Sequence, residues 1–322
     1  MLLQAFEKLL QVRLAPTLVR ELEAGGDATP HWAVFEESGF LDLMVAEKEG
    51  GAGLPLRDAF PFIVALGRHA VALPIAQTIA ARALVGATAQ GMVTLAPALV
   101  RGQNGNLRAP QVPFGHIAAR VLGWDGERLL LLEAANATRT PSGVHASLQA
   151  MLEWNDPRRV TLHGTDGEGF EVLGAALHAA LLTGAMQRTF DLTLAYCNDR
   201  VQFGRSIGKF QAVQHQLSVM AEHVVASSLA AEAAFTSGPR VPALFAAAAA
   251  KTRASEAAPL VANAAHALHG AIGITEEYDL QLLTRRLHEW RMAHGSELHW
   301  SGVLGDAVLT SGKRLSDFVR EI

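Results

Sequence analysis

The sequence predicts a mainly α-helical protein with a small β module set between two helical regions. Three observations carry that expectation. Apolar residues step by three and four along the last half of the chain, as in Phe210, Val213, Leu217, Met220 and Val224. Strand-forming runs and clustered turn residues concentrate between about residues 91 and 170. Alanine-rich stretches such as "ALFAAAAAK" favour helix. The expected division is an N-terminal helical domain over 1–90, a middle β-domain over 91–170 and a C-terminal antiparallel helical bundle over 171–322.

The first helical stretch is "MLLQAFEKLLQVRLAP". It is amphipathic, with Glu7 and Lys8 inside its apolar pattern, so it lacks the unbroken apolar core of a signal peptide. "HWAVFEESGF" reads as a short helix stopped by Gly39. A glycine loop in "EKEGGAGL" precedes a helix opened by Pro55 and Asp58, and Pro74 stands where the first turn of the next helix tolerates it. "MVTLAPALV" and "HIAARVLGWDGERLLLLEA" favour strands, with Asp125-Gly126 as a hairpin turn. "RGQNGN" and "TRTPSG" read as turns, and the module is expected to hold five or six strands. From about Val172 the pattern is helical: one helix is expected from about Val241 to His269, stopping at Gly270, and a last one from near Glu297.

Composition excludes several classes. Half of the 322 residues are hydrophobic and 18% are charged, which supports a sizeable core in about two domains. With 27 basic and 31 acidic residues, nothing favours nucleic acid or an anionic membrane. Cys197 is the only cysteine, so no intrachain disulfide forms and a reducing compartment fits. No metal site is expected. No run of about 18 apolar residues is expected to span a membrane, and a cytoplasmic location is the simplest expectation.

One stretch fits none of this. "RVQFGRSIGKFQ", Arg200 to Gln211, places basic residues, Phe203 and glycines between two helical stretches. Extended into the next helix, "RVQFGRSIGKFQAVQHQLSVMA" resembles the C-terminal signature of the acyl-CoA dehydrogenase family. "HALHGAIGITEEYDLQLLTRR" is similar to that family's His-Gly-x-x-Gly turn and the segment after it, and "EKEGGAGL" is similar to its N-terminal "PEEYGGAGL" stretch. The order of regions matches as well, and the resemblance implies an N-terminal helical domain, a small middle β-domain and a C-terminal four-helix bundle.

The resemblance implies FAD, an acyl-CoA substrate and an electron-transfer flavoprotein-like acceptor. It implies that the loop meets the adenine dinucleotide across a subunit interface. Arg200 matches the pyrophosphate arginine, whose planar fork suits a diphosphate. Gln202, Phe203 and Ile207 would line the nucleotide, Phe210 and Gln211 match the "FQ" pair opening the next helix, and Gly270 with Gly273 form the second cofactor turn. Ala267 stands where the family usually has glutamine. The catalytic base of the family is a carboxylate, most often in Glu-Gly-Thr. Here "MAHGSELHW" puts His294 at the glutamate and Ser296, a further cofactor candidate, at the threonine. The alternative base position on the first bundle helix aligns with His178, and Glu297 is a more remote candidate. His294 is therefore the candidate base, because a histidine can accept a proton near neutral pH. The Thr-Glu-Pro segment and Trp-bearing strand that bind the flavin ring are not found in the middle region, where Trp124 and Trp154 sit in other contexts. The resemblance leaves two main functions open, with a third behind them. The chain is one subunit of a heteromeric flavin dehydrogenase whose complete partner carries the carboxylate, or it is a homo-oligomer that binds flavin or acyl-CoA without dehydrogenation; the third is a self-sufficient enzyme with His294 as its base.

Overall fold

The computed structural model describes residues 1–102, 104–144, 146–156, 159–162 and 167–320. Five helices come first: α1 (Leu2–Arg13), α2 (Pro16–Glu23), α3 (Thr29–Ser38), α4 (Leu56–Arg68) and α5 (Ile75–Val85). Gly39 caps α3 with a left-handed φ of 75°, and Pro55 and Pro74 sit at the N-caps of α4 and α5.

Eight strands come next: β1 (Val93–Ala96), β2 (Val100–Arg101), β3 (Leu107–Val112), β4 (Arg120–Trp124), β5 (Leu129–Glu133), β6 (Thr138–Pro141), β7 (Ala150–Trp154) and β8 (Arg159–Leu162). They form two four-stranded sheets, β1-β4-β5-β8 and β2-β3-β7-β6. The strand count exceeds the sequence expectation in part because "TRTP" is an edge strand rather than a turn. Its Pro141 stands at the last position, where a missing N–H is tolerated. Pro110 falls where the β3–β7 register shifts between Ala109 and Val112. The Asp125-Gly126 hairpin forms as expected, with Asp125 Oδ1 accepting from the Glu127 and Arg128 N–H groups.

The leucine run of β5 is explained by burial on both faces. Leu130 and Leu132 join Trp154 and Leu152 in a core between the sheets, whereas Leu129 and Leu131 face the helices. β1 is an edge of its sheet. Thr78 of α5 covers that edge, bonding the Val93 N–H and carbonyl at 3.0 and 2.9 Å.

The C-terminal region comprises α6 (Gly167–Asp199), a two-stranded hairpin of β9 (Val201–Gln202) and β10 (Arg205–Ser206), α7 (Gln211–Thr236), α8 (Leu244–His269), α9 (Leu280–Met292), α10 (Glu297–Ser311) and α11 (Leu315–Val319). Ala247, Ala250, Ala254, Ala257, Ala258, Ala262 and Ala265 of α8 are all buried, so small side chains admit close neighbours on several sides. On α7, Leu217, Met220 and Val224 are buried, while Phe210 and Val213 ahead of them are only partly so. One correction concerns membranes. α6 is long and apolar enough to cross one, but 89% of its most apolar window is buried inside the protein, as befits a central bundle helix.

Candidate cofactor and base sites

The "RVQFGRSIGKFQ" loop is a tight hairpin projecting beyond α6. Phe203 and Gly204 occupy its two-residue turn with φ of 52° and 78°, the double left-handed pattern of a type I′ turn. Glycine adopts that region freely; phenylalanine does so at a cost of about 1–2 kcal/mol. Yet Phe203 is 90% exposed, so burial of its own ring does not offset the strain. Arg200 and Gln202 are exposed, and the Arg200 guanidinium has no hydrogen-bond or ion-pair partner among the described residues. Ile207 is half-buried and packs on the main core. Phe210 N-caps α7, and Gln211, its first residue, is exposed. The Phe210 ring meets Phe203 edge-on at 6.1 Å and carries the Arg205 guanidinium 4.2 Å above its centroid. Arg205 was not singled out from the sequence.

The second turn lies beside this hairpin. Gly270 ends α8 at φ 63°, ψ −140°, a conformation that suits glycine alone. Gly273 serves a different need, since a Cβ there would lie 2.8 Å from the Cβ of His269. Tyr196 joins the two turns by donating to the His269 carbonyl at 3.2 Å.

The base positions converge elsewhere. His294 sits in the turn between α9 and α10 at φ 52°, 5% exposed. Its ring stacks on that of His178 with centroids 4.9 Å apart at 27°, and Phe170 approaches edge-on at 6.0 Å. Gly174, one turn before His178, makes room for it: a Cβ there would lie 2.2 Å from His294 Nδ1. The Trp300 indole N–H holds the turn by donating to the His294 carbonyl at 2.7 Å. His178 Nδ1 lies 2.8 Å from the Gly174 carbonyl, so it carries the proton and leaves Nε2 a bare acceptor. Neither Nε2 of the pair has a hydrogen-bond partner among the described residues.

Both rings are held neutral. Burial pushes His178 down to about 3, with the Gly174 carbonyl opposing and Lys251 reinforcing. Burial likewise drives His294 well below its ordinary value, helped by His178 and Lys251 and opposed by the Leu95 carbonyl. Lys251 was not anticipated. It is fully buried on α8 and donates to Ser255 Oγ at 2.9 Å and to the Trp290 and Arg291 carbonyls at 3.2 and 2.7 Å. It thus caps the C-terminal end of α9 with positive charge. Burial lowers its pKa to about 7 despite the counteracting field of Glu297.

Ser296 is the N-cap of α10 but makes no side-chain cap bond. Glu297, the first residue of α10, pairs with Arg291. Burial raises its carboxyl pKa, but the Arg291 hydrogen bond and charge outweigh this and hold it below the usual range. No group of three or more potential metal ligands occurs among the described residues.

The adenosine diphosphate half of FAD fits what the hairpin presents: the Arg200 guanidinium, without a partner among the described residues, an exposed aromatic face and one turn with two left-handed residues. At the base positions the structure offers two buried neutral rings and no carboxylate.

Residues 172–301 match the acyl-CoA dehydrogenase C-terminal domain. The chain is 32% identical over 286 residues to the acyl-CoA dehydrogenase IpdE2 of Mycolicibacterium smegmatis, covering 87% of this chain and 89% of that one. Its fold superposes on a chain of the ChsE4-ChsE5 complex from Mycobacterium tuberculosis with a TM-score of 0.84 at 22% identity, over 97% of both chains. The Tcur3481-Tcur3483 steroid ACAD gives 0.82 at 24% identity, over 96% and 97%.

Proposed function

The chain belongs to the acyl-CoA dehydrogenase family, whose cofactor is FAD, and from that premise we propose that it is the reduced subunit of a heteromeric acyl-CoA dehydrogenase. In this reading it lends the dinucleotide loop to a flavin whose catalytic carboxylate belongs to a complete family member. Bound FAD supplies the hydride acceptor for α,β-oxidation of the thioester. Arg200 holds the diphosphate, Phe203 and Ile207 line the nucleotide, and the Gly270 turn closes against it.

One observation carries the proposal: the dinucleotide loop is intact and exposed while both base positions hold buried, stacked imidazoles. A base that takes an α-proton must accept positive or lose negative charge within reach of its substrate. His294 would gain a cation in a nearly inaccessible place, beside Lys251 and against His178. That is unfavourable on every count. Distance supports a role in trans. His178 and Arg200 are 22 residues apart along α6 and its end, roughly 33 Å at 1.5 Å per residue. A separation of that size favours a loop that serves a flavin ring other than the one beside its own base position. Two of the structures with this fold are paired assemblies, ChsE4-ChsE5 and Tcur3481-Tcur3483, which supports the same reading.

The test is acyl-CoA-dependent reduction of an electron acceptor by the chain alone, and by the chain co-purified with a complete family member bearing Glu-Gly-Thr. The expected result is activity only in the pair. Brisk turnover by the chain alone, abolished by His294→Ala, would make histidine the base and overturn the proposal.

A further inference from the structure

The two cofactor turns are far apart in sequence, and something must hold them in one arrangement. We infer that Tyr196, together with His269, is the positioning device that locks the Arg200 hairpin to the Gly270 turn, so that both meet the adenosine diphosphate of FAD as one surface. This rests on the reading of the hairpin as a dinucleotide site.

The geometry is closed on every side. Tyr196 stands one helical turn before Arg200, whose N–H donates to the Tyr196 carbonyl at 2.8 Å. Its hydroxyl reaches across 73 residues to the His269 carbonyl at 3.2 Å, and its ring stacks on the His269 imidazole at 4.5 Å and 24°. His269 is the residue immediately before Gly270, and its Nδ1–H donates to the Ala265 carbonyl at 2.8 Å, which fixes the ring. Tyr278 covers the far side, 5.2 Å from His269 and 6.4 Å from Tyr196. The backbone beside Tyr278 is tied down in turn, because Arg20 donates to the Glu276 and Glu277 carbonyls and pairs with Asp279 at 2.9 Å. A shift of the Gly270 turn relative to the hairpin would unstack Tyr196 and break its hydroxyl bond together. A site held this way does not have to order two separate loops when ligand arrives, and preorganisation of this kind appears as affinity.

Tyr196 and Tyr278 are the only tyrosines in the chain, so tyrosine signals report on this cluster alone. The full chain is labelled with 3-fluorotyrosine and titrated with FAD or ADP, following 19F resonances and binding. ADP is expected to shift the Tyr196 resonance in the wild type and to leave it still in Arg200→Ala. Tyr196→Phe keeps the stack and loses one hydrogen bond, so FAD should bind about two- to tenfold more weakly. Tyr196→Leu removes both contacts and should weaken it further, with Tyr196→Phe guarding against a folding defect. If Arg200→Ala weakens FAD while both Tyr196 variants bind like wild type, the positioning role is wrong and the dinucleotide site stands. If Arg200→Ala has no effect, the site itself is wrong and the inference falls with it.

Discussion

His178 and His294 have to stay neutral for the fold to close over them, and that makes stability pH-dependent in a stated direction. An unfolded imidazole titrates near 6.5, whereas His178 in the fold is pushed down to about 3. Between those values the unfolded chain holds the extra proton, so acidification favours unfolding. Stability is fully present above about 6.5 and is lost towards 3, at up to about 1.4 kcal/mol per pH unit for each such group. His178→Phe retains an aromatic ring for stacking and cannot be protonated. Its urea midpoint should fall less steeply between pH 6.5 and 4 than that of the wild type; parallel curves would refute the assignment. This pairing was only half legible in the sequence. The two positions could be named, but nothing local shows that residues 116 apart stack, or that Gly174 is a glycine to make room for one of them. Lys251 was hidden for a related reason. A lysine within an alanine-rich helix reads as solvent-facing, and only the arrival of the α9 carbonyls at Nζ gives it a buried partner.

The β9–β10 hairpin shows what a short element can and cannot announce. Its residue types and the glycine at Gly204 marked a turn, but the strained partner, Phe203 at φ 52°, is a non-glycine whose conformation no propensity suggests. Strain with 90% exposure points to a ring held out for a partner. Phe203→Gly should therefore leave the melting temperature of the chain unchanged or raised, because relief of about 1–2 kcal/mol of left-handed strain offsets the extra flexibility of glycine. The same change should reduce FAD retention; a large loss of stability with unaltered retention would reverse the argument. Arg200→Ala should weaken FAD binding by roughly 1.5–3 kcal/mol through the lost charge-assisted fork, and Arg200→Lys should also impair it. Unchanged flavin content in both would count against the pyrophosphate role. Longer elements were easier to read. The 3.6-residue periodicity of the bundle survives into the fold, whereas two- and four-residue strands such as β2 and β6 are made by pairing with neighbours and leave little periodic trace.

At the scale of the whole molecule, the exposed apolar residues are not scattered around the cofactor turns at random. Val201 and Phe203 on the hairpin are 63% and 90% exposed, and Ile272 and Ile274 on the neighbouring turn are 40% and 75% exposed. The Tyr196–His269 contact brings these two turns together, so the four side chains lie on adjoining loops at one end of the bundle. Apolar side chains so placed are expected beneath another subunit. The helical length between Arg200 and His178 leads to the same arrangement, because it holds the proposed dinucleotide loop roughly 33 Å from its own chain's base position. The chain is therefore predicted to sediment as a species heavier than 34.3 kDa, with itself or with a complete family member. Phe203→Asp with Ile274→Asp should shift that species towards 34.3 kDa while leaving far-ultraviolet circular dichroism unchanged, since both side chains are already solvent-facing within the chain. The interface and the flavin should be lost together, because one surface serves both. A wild-type chain that sediments as a 34.3 kDa monomer at every concentration, with and without the complete family member, would leave those apolar residues unexplained and the loop without a flavin to serve.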